Sequence, residues 1–199
     1  MSRAPRSDGI ANREKVLAAA LRTLQRDVTA PMALIAQEAG VGVGTLYRHF
    51  RDRDDLVVAL QVRSIGMVLA LVEEVLSDER PGIDAVREFL SRTVEHGSEL
   101  FLPYHGAPVT TDPDYQELDQ RVWEGISELV KRGIADKTLR ADLTVHDVII
   151  FGSLVAAPLP GVTNWRDVAG RQIEFFLTAV HRGTAQPPGR ARRQRHAPG

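Results

Sequence analysis

Apolar residues recur at helical spacing along most of the chain. Ile10, Leu17, Leu21, Leu24 and Val28 are spaced seven, four, three and four apart, which predicts a first helix with one buried stripe. Pro31 suits the first turn of a second, short helix, where its missing N–H is no loss. A third short helix is expected over Gly42 to His49, with Leu46 and Phe50 one turn apart on its inner face. A long helix follows to about Leu76, carrying Leu56, Leu60, Met67, Leu71 and Val75 along one side. After a break at 78–82 the pattern resumes from Ile83 to about Leu102, through Val86, Phe89, Leu90 and Val94. Pro103, Pro108 and Pro113 punctuate a loop, and a helix over about 114–134 carries Leu118, Val122, Trp123, Ile126 and Val130. Thr144 and Asp147 read as a capping box before Val148, Ile149, Ile150, Phe151, Leu154 and Val155. Asn164 reads as the cap of a last helix with Val168, Ile173, Phe176, Leu177 and Val180. Periodicity near 3.6 throughout, with few alternating runs, predicts an all-α fold.

The stretch from Gly40 to Phe50 holds the most specific information. Gly40 follows a short amphipathic segment, 32–39, and can adopt the left-handed conformation that ends a helix and turns the chain. Two short helices around such a turn form the layout of a helix-turn-helix DNA reader. With Leu46 and Phe50 facing a core, Thr45, Tyr47, Arg48 and His49 remain for phosphates and base edges. A helical corner in which the Tyr and His merely pack is the competing structural reading.

Ala39-Gly40-Val41, Gly44-Thr45-Leu46-Tyr47, His49-Phe50, Arg53 and Leu56 together resemble the signature of the TetR family of bacterial transcription regulators. The resemblance covers roughly the first 60 residues; beyond them only size, helical texture and helix order are similar. It implies a three-helix N-terminal head (1–55), a helical ligand-binding and dimerisation body (56–182) and action as a homodimer on double-stranded operator DNA. It also implies that Thr45 and Arg48 approach bases and that Tyr47, His49 and Arg53 touch phosphates. Gly42 and Val43 depart from the Ser and polar residue that many members carry there, although they too fall on the DNA-facing stretch. A ligand-sequestering or protein-interaction module that has lost DNA binding is therefore the alternative reading.

Charge agrees with a DNA-binding end. Residues 1–60 sum to +2, residues 61–182 to −7 and residues 183–199 to +4. Phosphate contacts need cations, and an acidic body avoids indiscriminate adhesion. Residues 1–8, with Arg3 and Arg6, read as a solvated arm, and the Arg-rich tail (183–199) as a disordered segment. The chain has no cysteine, which excludes disulfides, Cys-based zinc sites and thiol nucleophiles. No hydrolase elbow, phosphate loop or zinc-protease motif occurs, so no enzyme is expected, and neither is a cofactor or metal. No leader-like run opens the chain and no apolar stretch looks long enough to cross a bilayer, so a cytoplasmic protein without membrane contact is expected.

The body reads as an effector pocket. Met67, Phe89, Phe101, Tyr104, His105, Trp123 and Phe151 are its candidate lining, with the Pro-rich loop 103–113 as mouth. The few charges in this region predict a small apolar or aromatic effector. Ile149, Ile150, Leu154, Val155, Phe176, Leu177 and Val180 are the candidate dimer face, two helices from each subunit making a four-helix contact.

Overall fold

The computed structural model describes residues 5–159 and 161–183, without the side chains of residues 5–8 and of His105. Arg3 of the expected arm and Arg190, Arg192, Arg193 and Arg195 of the tail lie outside the described residues. Within them the chain is all-α, and its only β pairing is an isolated bridge between Leu139 and His181. Eight helices follow in order: α1 (Pro5–Arg26), α2 (Met32–Glu38), α3 (Val43–His49), α4 (Arg53–Ser77), α5 (Gly82–His96), α6 (Pro113–Ala135), α7 (Val145–Ala156) and α8 (Trp165–Val180).

Local chemistry sets several of these boundaries. The Asp52 carboxylate caps α4 by accepting the Asp55 N–H at 2.8 Å, and Asp54 and Asp55 lie at the positive end of the helix dipole. Asp112 caps α6, accepting the N–H groups of Asp114 and Tyr115 at 3.1 Å, with Pro113 in the first turn. Thr144 and Asp147 form the expected capping box of α7. Asn164, expected to cap α8, makes no side-chain cap hydrogen bond; Trp165 anchors that turn instead, donating its indole N–H to the Val155 carbonyl at 2.9 Å.

Two hydrophobic cores share α4. The head core gathers Val16, Leu17 and Leu24 of α1, Ile35 of α2, Leu46 of α3, Phe50 and the first turns of α4. The body core packs the rest of α4 against α5, α6, α7 and α8 through Val72, Leu90, Ile126, Val148 and Ile173. Close crossings draw the body helices together. A methyl on Gly125 of α6 would stand 2.3 Å from Val72 of α4, and one on Gly82 of α5 would stand 2.1 Å from the Gly133 Cα.

Four sequence expectations change. Helix α1 begins at Pro5, so the proposed arm is helical in its second half. Ile10 and Val28 are exposed, and Val16 and Ala20 join Leu17 and Leu24 in the buried stripe. Helix α5 ends at His96 instead of running to Leu102 and passes into a 3-10 turn over Gly97–Glu99, where Gly97 lies so close to α7 that a methyl would be 2.0 Å from the Ala156 carbonyl oxygen. Finally, α4 is long and apolar enough to cross a bilayer by length and composition. Half of that apolar span is buried inside the protein, against the helices of both cores.

Candidate DNA-reading face and effector cavity

Helices α2 and α3 meet at a tight turn. Gly40 takes φ +66°, and the N–H groups of Gly40 and Val41 return to the carbonyls of Gln37 and Ala36, each at 3.0 Å. This closes α2 and releases the chain into α3 within three residues. Gly42 sits at the N-cap without a side chain to offer. Leu46 and Phe50 are fully buried and fix the roll of α3 about its axis.

That roll decides which side chains meet solvent. Val43, Tyr47 and Arg48 are exposed, Thr45 and His49 half-buried, and Gly42 lies bare at the start. Among the described residues, neither Tyr47 nor Arg48 has a hydrogen-bond or ion-pair partner. The His49 ring lies tilted beside Phe50, with centroids 6.4 Å apart. A phenol and a guanidinium held outward without protein partners are available to a polyanion.

Arg53 has a different place from the expected one. Its guanidinium donates to the backbone carbonyls of Val28 and Ala30, in the turn between α1 and α2. The side chain thus ties the start of α4 to the base of the helix-turn-helix, a positioning task that phosphate contact does not require. Sequence reasoning saw the positive charge but not the carbonyls that fold back onto it.

Between α4, α5, α6, α7 and the segment 100–104 lies a cavity of about 80 Å³. Ile65, Val68, Leu100, Val122 and Ile126 are among its aliphatic lining, and Phe89, Tyr104, Tyr115 and Trp123 contribute aromatic rings. Of the sequence candidates, then, Phe89, Tyr104 and Trp123 reach it. Met67 packs against the body core away from the wall, and Phe151 stacks on Phe176 with ring centroids 4.2 Å apart. Phe101 points the other way, into the head core. The His105 side chain is not described. Behind Trp123 the His146 ring meets the indole edge-on at 4.5 Å.

Polar groups on the wall are Thr93, Tyr115, Asp119 and Ser153. Burial first, then the neighbouring Asp119 and Tyr104, push the Tyr115 hydroxyl up to about 12. Burial also raises the Asp119 carboxyl above its ordinary value. Asp119 was absent from the sequence candidates; an acid one turn from Trp123 gives no sign of facing inward until the helix is placed. His96 and Glu99 pair with each other at 3.1 Å, and among the described residues no group of three ligating side chains could hold a metal.

The candidate dimer residues divide. Val155 and Leu177 are buried in the protomer's own core, Ile149 lines the cavity, and Phe176 and Val180 pack partly against that core. Ile150 and Leu154 on α7 are exposed by 54% and 68%, and Phe175 on α8, which the sequence reading passed over, by 61%.

Residues 16–60 match the family model of bacterial regulatory proteins, tetR family. An HTH-type transcriptional regulator of Staphylococcus aureus is 31% identical over 75 residues, 37% of this chain and 40% of that protein. The HTH-type transcriptional repressor LfrR of Mycolicibacterium smegmatis is 26% identical over 125 residues, 63% of this chain and 66% of LfrR. The chain therefore aligns with less than two thirds of the length of either relative. Similarity of fold extends further. The TetR transcription regulatory protein from Mycobacterium vanbaalenii superposes with a TM-score of 0.62 at 24% identity, over 89% of this chain and 99% of that one. The structure of LfrR in complex with proflavine superposes with a TM-score of 0.66 at 22% identity, over 84% and 94%. Residues 16–60 thus carry the head of the tetR family of bacterial regulatory proteins, and the described length shares the fold of solved TetR regulators.

Proposed function

We propose that this protein is a ligand-responsive transcriptional repressor that binds a pseudo-palindromic operator as a homodimer. The observation that carries the reading is the outer face of α3, where Tyr47 and Arg48 stand exposed and unpartnered above the buried Leu46 and Phe50. Gly42, Val43, Thr45 and His49 complete the face that enters the major groove, with Thr45 and Arg48 nearest the bases. The head is residues 1–55 and the regulatory body residues 56–182, with α4 common to both. Exposed Ile150, Leu154 and Phe175 form the dimer face, which presents two heads together and raises the effective concentration of the second.

A small apolar or aromatic effector in the cavity shifts the body helices and, through α4, the separation of the two heads. Such regulation requires the effector to bind the DNA-incompetent arrangement more tightly than the competent one. The similarity to LfrR, a repressor also solved with a bound ligand, supports both halves of the reading. The test is a mobility-shift and footprinting experiment on the DNA upstream of the protein's own gene. A two-fold symmetric footprint is expected. If no retarded complex forms at micromolar protein in low salt, DNA reading is rejected in favour of the sequestering module.

A further inference from the structure

The cavity wall holds a carboxyl group that no described side chain neutralises. Asp119 is half-buried on α6, and among the described residues it has neither an ion-pair nor a hydrogen-bond partner. Among the described residues, no Arg, Lys or His side chain lines the cavity. Acids nearby on α4 and α5 are treated differently. Glu74 and Glu88 both pair with Arg92, at 2.5 and 2.7 Å. Arg121, only two positions beyond Asp119, turns to the far side of α6 and pairs with Glu73 at 2.7 Å. That cation is thus used elsewhere, and among the described residues the Asp119 carboxylate has no compensating charge.

Each class of occupant meets this wall differently. An anion faces like charge in an environment of low polarity and finds no counter-cation. A neutral ligand strips water from Asp119 and returns nothing for it. A monocation supplies the missing partner, and the aromatic rings of Phe89, Tyr104, Tyr115 and Trp123 in the lining offer attraction of the cation–π kind wherever a face meets it. The remaining wall, Ile65, Val68, Val122 and Ile126 among it, demands an apolar body on the same molecule. The volume of about 80 Å³ is about half of the roughly 150 Å³ of an apolar cavity that holds benzene, so a compact alkyl group suits the site as it stands and a ring enters only as the wall opens toward Tyr104.

We propose that the cavity selects a lipophilic monocation, an aromatic or alkyl group carrying an ammonium whose charge sits against Asp119. This deepens the effector reading above and rests on it. Benzyltrimethylammonium, its neutral carbon isostere neopentylbenzene and the anion phenylacetate form a probe set of similar size. Binding is followed by calorimetry and by Trp123 emission in a Trp165→Phe background, for the full chain and for Asp119→Asn and Asp119→Glu variants whose folding is checked by circular dichroism. The cation is expected to bind at least about tenfold more tightly than the isostere, a difference of about 1.4 kcal/mol. Asp119→Asn should remove that preference without weakening the isostere, and Asp119→Glu should keep most of it. Equal or tighter binding of the isostere or the anion overturns the proposal but leaves the cavity an effector site. Cation binding, lost in Asp119→Asn, that never alters operator affinity upholds the cation site and overturns the effector reading alone. Failure of all three probes at millimolar concentration overturns both.

Discussion

Phe101 and Leu102 are neighbours in the chain and belong to different cores. The Phe101 ring is buried among the helices of the head, while Leu102, like Leu100, faces the body cavity. An extended backbone sends successive side chains to opposite sides, so one strap touches both regions. It is held in place by the Ser64 hydroxyl, which accepts the Phe101 N–H at 3.0 Å, and by Gln25 of α1, whose amide donates to Ser98 and Leu100 carbonyls. Any movement of the cavity wall at Leu100 or Leu102 reaches the head core at Phe101.

Phe101→Ala should therefore cost about 3–5 kcal/mol and lower the stability of both regions together. Both tryptophans lie in the body, so their emission is a reporter remote from the deletion. A fall in the melting midpoint seen by tryptophan emission, matched by circular dichroism, is expected. An unchanged emission midpoint would show that the strap does not couple the regions.

Arg53 and Arg48 should behave differently although both are cations of the head. Arg53→Ala removes two charge-assisted hydrogen bonds to Val28 and Ala30 and should destabilise the fold by about 1.5–3 kcal/mol. Arg48→Ala should leave stability within about 0.5 kcal/mol and cost about 1–3 kcal/mol of operator binding. Denaturant melts and salt-dependent binding of both variants separate the roles; a destabilised Arg48→Ala would reject the assignment.

Leu154→Glu and Phe175→Glu place a charge on exposed positions and should give a folded monomer at micromolar concentration by sedimentation. Leu177→Glu buries a charge in the protomer's own core and should unfold it. A wild-type chain that is monomeric at the same concentration would remove the dimer face.

Asp119→Asn should raise stability at neutral pH. Burial lifts the folded-state value of this carboxyl above its unfolded value, so the ionised form weakens the fold whenever pH exceeds both. The gain from the amide should shrink as pH falls through the raised folded value and vanish below the unfolded one, near 3.9. A gain that persists at pH 3 would point to a packing effect.

Glycine substitutions test the crossings. Gly97→Ala must push α5 away from the Ala156 carbonyl and should destabilise by about 1–3 kcal/mol. Gly66→Ala, within α4 and with nothing in contact range, should stabilise by up to about 1 kcal/mol. Chemical denaturation of the two variants should give opposite signs.

The reading unit was legible in the sequence because its causes are local. Gly40 turns the chain within a few residues, and the four-residue spacing of Leu46 and Phe50 sets the orientation of Tyr47 and Arg48. Asp119, Arg53 and Phe175 were not legible, since what each faces is decided by helices distant in sequence. Phe151 and Phe176 show the same limit. They were assigned to a pocket and an interface, and the stack that joins the two rings was not foreseen. The need for glycine at 97 was also hidden, because the carbonyl that approaches it, at Ala156, lies some sixty residues away.

The clamp of Arg53 on Val28 and Ala30 has a consequence for genetics. With the start of α4 fastened to the turn between α1 and α2, the helices of the head would travel as one piece, and under the proposed function an effector signal would become a distance between two intact readers. On that proposal the regulatory variable would be the spacing of the half-sites on the DNA. An operator with one base pair inserted or removed at its centre would mimic the effector or resist it, with no change in any letter that α3 reads.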